Sequence, residues 1–184
     1  MQETNGVDAR VLDEVSRGMA HFGLVTGFAC VSLLLVLAAS WRRRVEPRMA
    51  GSVAAAVIAP ALTASAAGLT YGYAWKGAMA IYLPQGLDEK SFTTDGLFVY
   101  FMLNDFGGFI GWLGVVVAAG AMVWLSLRER VVSRWIGWFS LLPVLAVTAF
   151  AGVTGLPGFQ GVVGPVWLVI AFLGLALGRS TLTR

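Results

Sequence analysis

One cysteine, one histidine and two lysines in 184 residues remove several chemistries before any pattern is read. Cys30 alone forms no intrachain disulfide and runs no dithiol exchange. His21 alone supplies neither a bis-histidine haem site nor the paired histidines of a zinc-protease helix. The sequence therefore calls for no metal and no cofactor. Lys76 and Lys90 both fall outside the long apolar windows, which excludes a Schiff-base lysine within a span. Charge is scarce as well: 12% of the residues are charged and 58% hydrophobic, against about 25% and about 45–50% in soluble domains. Neither a disordered chain, a coiled coil nor a nucleic-acid binder keeps so much unbroken apolar sequence.

What is present is a set of charge-free windows. Residues 18–41, 49–75 and 106–127 are each long enough to cross a hydrocarbon core of about 30 Å at about 1.5 Å per residue. The window 135–178 is too long for one helix. It divides at the turn sequence Thr154, Gly155, Leu156, Pro157, Gly158, giving spans at 135–153 and 160–178. The expectation is an all-α, polytopic membrane helix bundle of five transmembrane helices. It forms a single domain over 1–184, multi-pass in a cell membrane, with the lipid bilayer as its surroundings.

Basic residues near the span ends are unevenly shared. Arg42, Arg43, Arg44, Arg48, Arg128, Arg130, Arg134, Arg179 and Arg184 fall on one side, and Arg10, Arg17, Lys76 and Lys90 on the other. The positive-inside rule then puts the N-terminus out and the C-terminus in. The acidic N-terminal tail lacks the basic start of a secretory signal, so the first apolar stretch reads as a retained helix. Val7, Val11 and Val15 recur at four-residue spacing, as in an amphipathic helix lying on the outer surface. In the long outer loop, residues 96–103 form an apolar run too short to span, preceded by the capping sequence Thr93, Thr94, Asp95. It reads as a short interfacial or re-entrant helix; the alternative is a strongly tilted third span that starts near Asp95 and draws Asp105 into the bilayer.

Small residues mark the second span as central. Gly51, Ala55, Ala59, Thr63 and Ala67 follow one another at intervals of four, and Gly68 and Gly72 form a further pair. Pro60 and Pro143 predict kinks, and Trp41, Trp75, Trp124, Trp135 and Trp138 fall where indole rings anchor at headgroup depth.

Polar groups gather at the outer span ends. His21, Thr70, Tyr71, Tyr73, Asn104, Asp105, Thr154 and Gln160 all belong to that layer. His21 and Asp105 are its candidate acid/base pair, because a carboxylate beside an imidazole orients it and raises its basicity. Tyr71, Tyr73 and Gln160 are the candidate ligand-binding residues. No nucleophile with its own base and no paired carboxylates can be read. The first reading is accordingly a small non-catalytic accessory protein that binds a membrane-protein partner or a second copy of itself. The alternative is an outer-leaflet protein or enzyme for a lipidic ligand, with a His/Asp pocket.

In the C-terminal half, Arg134, Trp135, Ile136, Gly137 and Trp138 precede an apolar helix, a Gly/Pro turn and a closing span with Gly164, Pro165, Val166 and Trp167. This pattern resembles uncharacterised families of small multispanning bacterial membrane proteins. The Ala/Gly/Val/Arg-rich composition is similar to that of proteins from high-GC bacteria. The resemblance implies no substrate and no site residues.

Overall fold

A computed structural model of the chain describes residues 9–156 and 158–178. The rest of the acidic tail, Val7 included, together with Pro157, Arg179 and Arg184, lies outside the described residues. Among the described residues six α-helices follow one another: α1 (Arg17–Arg44), α2 (Val53–Tyr82), α3 (Thr94–Ile110), α4 (Leu113–Leu127), α5 (Arg134–Thr154) and α6 (Gln160–Leu177). No strand occurs among the described residues. With α3 and α4 counted as one interrupted helix, five are long and apolar enough to cross a membrane. By length and composition this is a multi-pass membrane protein.

Local chemistry sets the helix ends. Ser16 accepts from the Met19 N–H at the start of α1, and Arg42, Arg43 and Arg44 occupy its last turn, where cations favour the negative end of the helix dipole. Ser52 caps α2 by accepting from the Ala55 N–H at 3.1 Å while its own hydroxyl donates to Glu129 at 2.8 Å. Thr93 caps α3, and α5 stops at Gly155, whose φ of 69° suits a residue without a Cβ. Successive spans, with α3 and α4 taken as one, run antiparallel. One end of the bundle, here called lower, carries the arginine-rich connections; the upper end carries the starts of α1, α3 and α6.

The second and third spans differ from the sequence expectation. Charge-free windows end at the first charge, but α2 continues through Lys76 to Tyr82, since Ala78, Met79, Ala80 and Ile81 resume the apolar run. The long outer loop shrinks to residues 83–93. The run at 96–103 is no separate interfacial helix: it forms the first turns of α3, which continues through Asp105 to Ile110. Leu97 within it is buried against Leu12, Met79 and Leu83, so protein rather than a membrane surface covers it. Nor is the described part of the tail an α-helical extension. Ala9–Glu14 is a 3-10 helix, and Leu12 turns inward to plug the upper end of the bundle.

α2 is the central helix. Ala55, Ile58, Leu62 and Leu69 are wholly buried, and α1, α3 and α4 all pack against it. Four residues advance a helix by about 400°, so a row at that spacing drifts about 40° per step. Ala55 and Ala59 face the core, whereas Thr63 and Ala67 have rotated out to the surface and Gly51 precedes the helix. The close contact comes instead from the glycine pair. A Cβ on Gly72 would overlap the backbone of Gly107, and one on Gly68 would lie 3.1 Å from the Gly111 Cα.

That close approach coincides with the break between α3 and α4. Gly111 lies against the backbone of Leu69, where a Cβ would come within 2.7 Å of its nitrogen. Across the break, the Val115 N–H donates to the Ser65 hydroxyl oxygen of α2 at 2.9 Å. In hydrocarbon an interrupted helix is tolerated only where such partners exist. At the lower end, Trp41 is no lipid anchor: it is 3% exposed and donates from Nε1 to the Ala55 carbonyl at 2.9 Å. Trp124, Trp135 and Trp138 are exposed, as anchoring requires.

Candidate functional site

α1 and α6 both lean on the interior of the bundle, and a cleft separates them. It has a volume of about 590 Å³. One wall is Cys30, Leu33, Leu34 and Leu37 of α1; the other is Gly161, Pro165, Leu168 and Val169 of α6. Tyr73, Phe109 and Trp112 form its back. The rims Leu33 and Val169 are 68% and 57% exposed, so the cleft opens sideways, toward where lipid would lie. Below, Phe172 closes it by an edge-on contact with Trp41 at 6.1 Å.

Glycine shapes this space in two ways. Gly27 admits the ring of Tyr73, which a Cβ there would strike, and so draws α1 against α2. Gly108 lines the cleft and would carry a Cβ into open space, with nothing within 4 Å. The first glycine is required for packing, and the second is required only if the cleft must stay open.

Polar atoms collect at the upper end of the cleft. Lys76 of α2 and Asn104 of α3 line it there, and both also line a second cavity of about 380 Å³ above, beside Ser16, Gly23 and Thr26. The stem of Lys76 crosses Gly23, where a Cβ would lie 2.9 Å from its Cδ. Gly23 thus gives the lysine a groove through the helix contact. Among the described residues Lys76 makes no hydrogen bond or ion pair. Asn104 Oδ1 is shut off from solvent and, among the described residues, has no hydrogen-bond partner. Among the described residues a charge without a counterion and an acceptor without a donor therefore lie where the two cavities adjoin, in surroundings where both are costly.

The residues expected from sequence do not form one pocket. His21 on α1 and Asp105 on α3 are exposed, and neither makes a hydrogen bond or ion pair among the described residues. Neither lines the cleft. Tyr71 and Tyr73 are two residues apart on a helix, hence about 200° apart around it. Tyr73 enters the cleft, whereas Tyr71 is 67% exposed on the far side of α2. Gln160 is buried at the start of α6. Thr70 and Thr154 turn their hydroxyls back onto the carbonyls of Ala66 and Phe150. Lys76 and Gly108 are the residues the sequence reading missed. The signal for Lys76 was the apolar run resuming after it as far as Tyr82.

On the other face of α2 lies a groove of about 650 Å³, floored by Gly68, Gly107, Gly111 and Gly114 and bordered by Tyr71 and Trp75. Its lining is almost wholly apolar. Among the described residues no cluster of His, Cys, Asp and Glu suited to a metal ion occurs. Compared with known protein families, with curated proteins and with solved structures, the chain matches none.

Proposed function

We propose that the chain is a non-catalytic integral membrane protein that takes a lipidic ligand from the bilayer into the cleft between α1 and α6. The observation that carries this reading is the cleft itself: largely apolar along its length, open to the side, with the charged Lys76 and the amide of Asn104 at one end and the Tyr73 phenol and Trp112 indole at its back. Its lining follows α1 from Cys30 to Leu37, about 10 Å at about 1.5 Å per residue, and its polar end at Lys76 lies beside Gly23, about 10 Å further up the same helix. One leaflet of hydrocarbon is about 15 Å thick, so an acyl chain fits with its head at the polar end.

Gly108→Leu tests the reading directly. Its side chain would enter the open cleft while the helix gains a better helix former, worth about 0.5–1 kcal/mol. The variant should fold as well as the parent and retain at least about tenfold less tightly bound lipid, measured by native mass spectrometry after release from nanodiscs. Unchanged lipid retention in a folded Gly108→Leu protein would refute the reading.

One observation favours a second reading, in which the protein is an accessory subunit receiving a helix of a membrane partner or of a second copy. The glycine-floored groove beside Tyr71 and Trp75 has the small-residue floor that lets helices approach closely. Under that reading Gly108→Leu is silent, while Ala64→Leu, which fills the groove on the opposite face, disrupts the complex.

The arginine bias supports an N-terminus-out orientation in a cell membrane, with the polar end of the cleft in the outer leaflet. Reporters inserted near Glu46 and Glu129 should then signal cytoplasm and one near Lys90 the outside. A cytoplasmic signal at Lys90 would move the ligand's head to the inner leaflet.

A further inference from the structure

We infer that the cleft selects a net-anionic phosphodiester lipid whose head carries a hydroxyl, with the phosphate at Lys76 and the hydroxyl at Asn104; this rests on the lipid-binding reading above. Each half follows from one unsatisfied group. Lys76 brings a full positive charge to the wall shared by two cavities and has no carboxylate partner among the described residues. The nearest acidic residue in sequence to either group, Asp105, adjoins Asn104 but is exposed on another face of α3. An ionisable side chain inside a helix bundle ordinarily has a partner, and here the ligand supplies it. A phosphodiester offers Lys76 a charge-assisted hydrogen bond, stronger than a neutral one.

Asn104 adds the second criterion. Its buried Oδ1 is an acceptor, so the head must also donate. A choline head has no donor. An ethanolamine or serine head donates through an ammonium, which would set a like charge beside Lys76. A hydroxylated head such as glycerol donates without that repulsion. The upper cavity, about 380 Å³ and lined in part by Ser16 and Thr26, adjoins the cleft at Lys76 and Asn104 and has room for such a head while the tail occupies the cleft below.

The test uses the full chain in nanodiscs of phosphatidylcholine doped in turn with phosphatidylglycerol, with phosphatidylmethanol, which has the charge but no hydroxyl, or with phosphatidylethanolamine. Bound lipid is identified by mass after release. The parent should favour phosphatidylglycerol about tenfold over phosphatidylcholine, with phosphatidylmethanol between them and phosphatidylethanolamine close to phosphatidylcholine. Lys76→Met should erase the preference for both anionic lipids, and Lys76→Arg should keep it, which separates lost charge from lost folding. Asn104→Leu should bring phosphatidylglycerol down to the level of phosphatidylmethanol and leave both above phosphatidylcholine. Lipid bound without head preference in the parent would overturn this inference and leave the cleft's role standing. Equal binding of phosphatidylglycerol and phosphatidylmethanol by the parent would overturn the part assigned to Asn104. If Gly108→Leu leaves the bound lipid unchanged, the site is elsewhere and both proposals fall.

Discussion

Gly72→Leu should cost the bundle about 3 kcal/mol or more, at the top of the usual range for overpacking. The site cannot relax cheaply, because the new Cβ would overlap the carbonyl and backbone nitrogen of Gly107 and Gly108 rather than the end of a flexible side chain. Moving α3 away would in turn withdraw Gly107 from the Trp75 ring and Gly111 from Leu69, and would strain the bond from Val115 to Ser65. In a bilayer, where lipid is as apolar as leucine, this close backbone packing is much of what holds helices together. Gly68→Leu starts from a looser contact, 3.1 Å to the Gly111 Cα, and should cost about 1–2 kcal/mol. Gly108→Leu, one residue beyond Gly107 but facing open space, should cost nothing. Thermal unfolding in mild detergent, followed by circular dichroism, should rank the variants in that order. Equal melting temperatures for Gly72→Leu and Gly108→Leu would mean that α2 and α3 do not meet as described.

The same glycines separate what the sequence reveals from what it hides. Five spans were legible because hydrocarbon demands long uncharged helices, and a run such as residues 18–41 has no other use. The Gly68 and Gly72 pair was legible as a close contact for a similar reason. Helix ends were harder to read. A window closed at Lys76 treats a charge as the end of the membrane segment, and so discards the one lysine that the bundle holds between its own helices. The run at 96–103 looked independent because Asn104 and Asp105 interrupt its hydropathy. A helix is kept going by its backbone bonds, and these two side chains need only leave by different faces: Asn104 toward the cleft, Asp105 to the surface.

The polar layer failed as a pocket for reasons of angle rather than depth. Helices of opposite direction do bring His21, Lys76 and Asn104 to similar heights, which spacing along the sequence predicts. Which of them faces inward depends on rotation, and the rotation of α1 is set by Gly23 and Gly27 sitting over Lys76 and Tyr73. His21, two residues before Gly23, is thereby turned about 200° away from that contact. Tyr71 is lost to the site by the same arithmetic on α2. Helix-facing glycines thus predict the inward face better than the polar residues do.

Trp167→Ala should combine a large loss of stability with loss of the cleft. Trp167 is 1% exposed, and its Nε1 donates to the Ser140 hydroxyl of α5 at 2.8 Å, which itself donates to the Ile136 carbonyl at 2.6 Å. Its ring meets Phe172 edge-on at 6.3 Å, and Phe172 meets Trp41 of α1 in the same manner. One side chain thereby ties α6 to α5 and, through Phe172, to α1. Truncation to alanine leaves a large cavity and should cost about 3–5 kcal/mol. Since Gly161, Pro165, Leu168 and Val169 of α6 form one wall of the cleft, a loosened α6 should also release bound lipid. Ser140→Ala separates the two effects: it leaves the indole N–H unpaired for about 1–3 kcal/mol but keeps the ring in place, so the wall stands. Lipid retention measured beside thermal unfolding should therefore fall steeply in Trp167→Ala and little in Ser140→Ala, at graded losses of stability. If both variants lose lipid equally, retention follows global stability, and the wall formed by α6 has no specific part in holding the ligand.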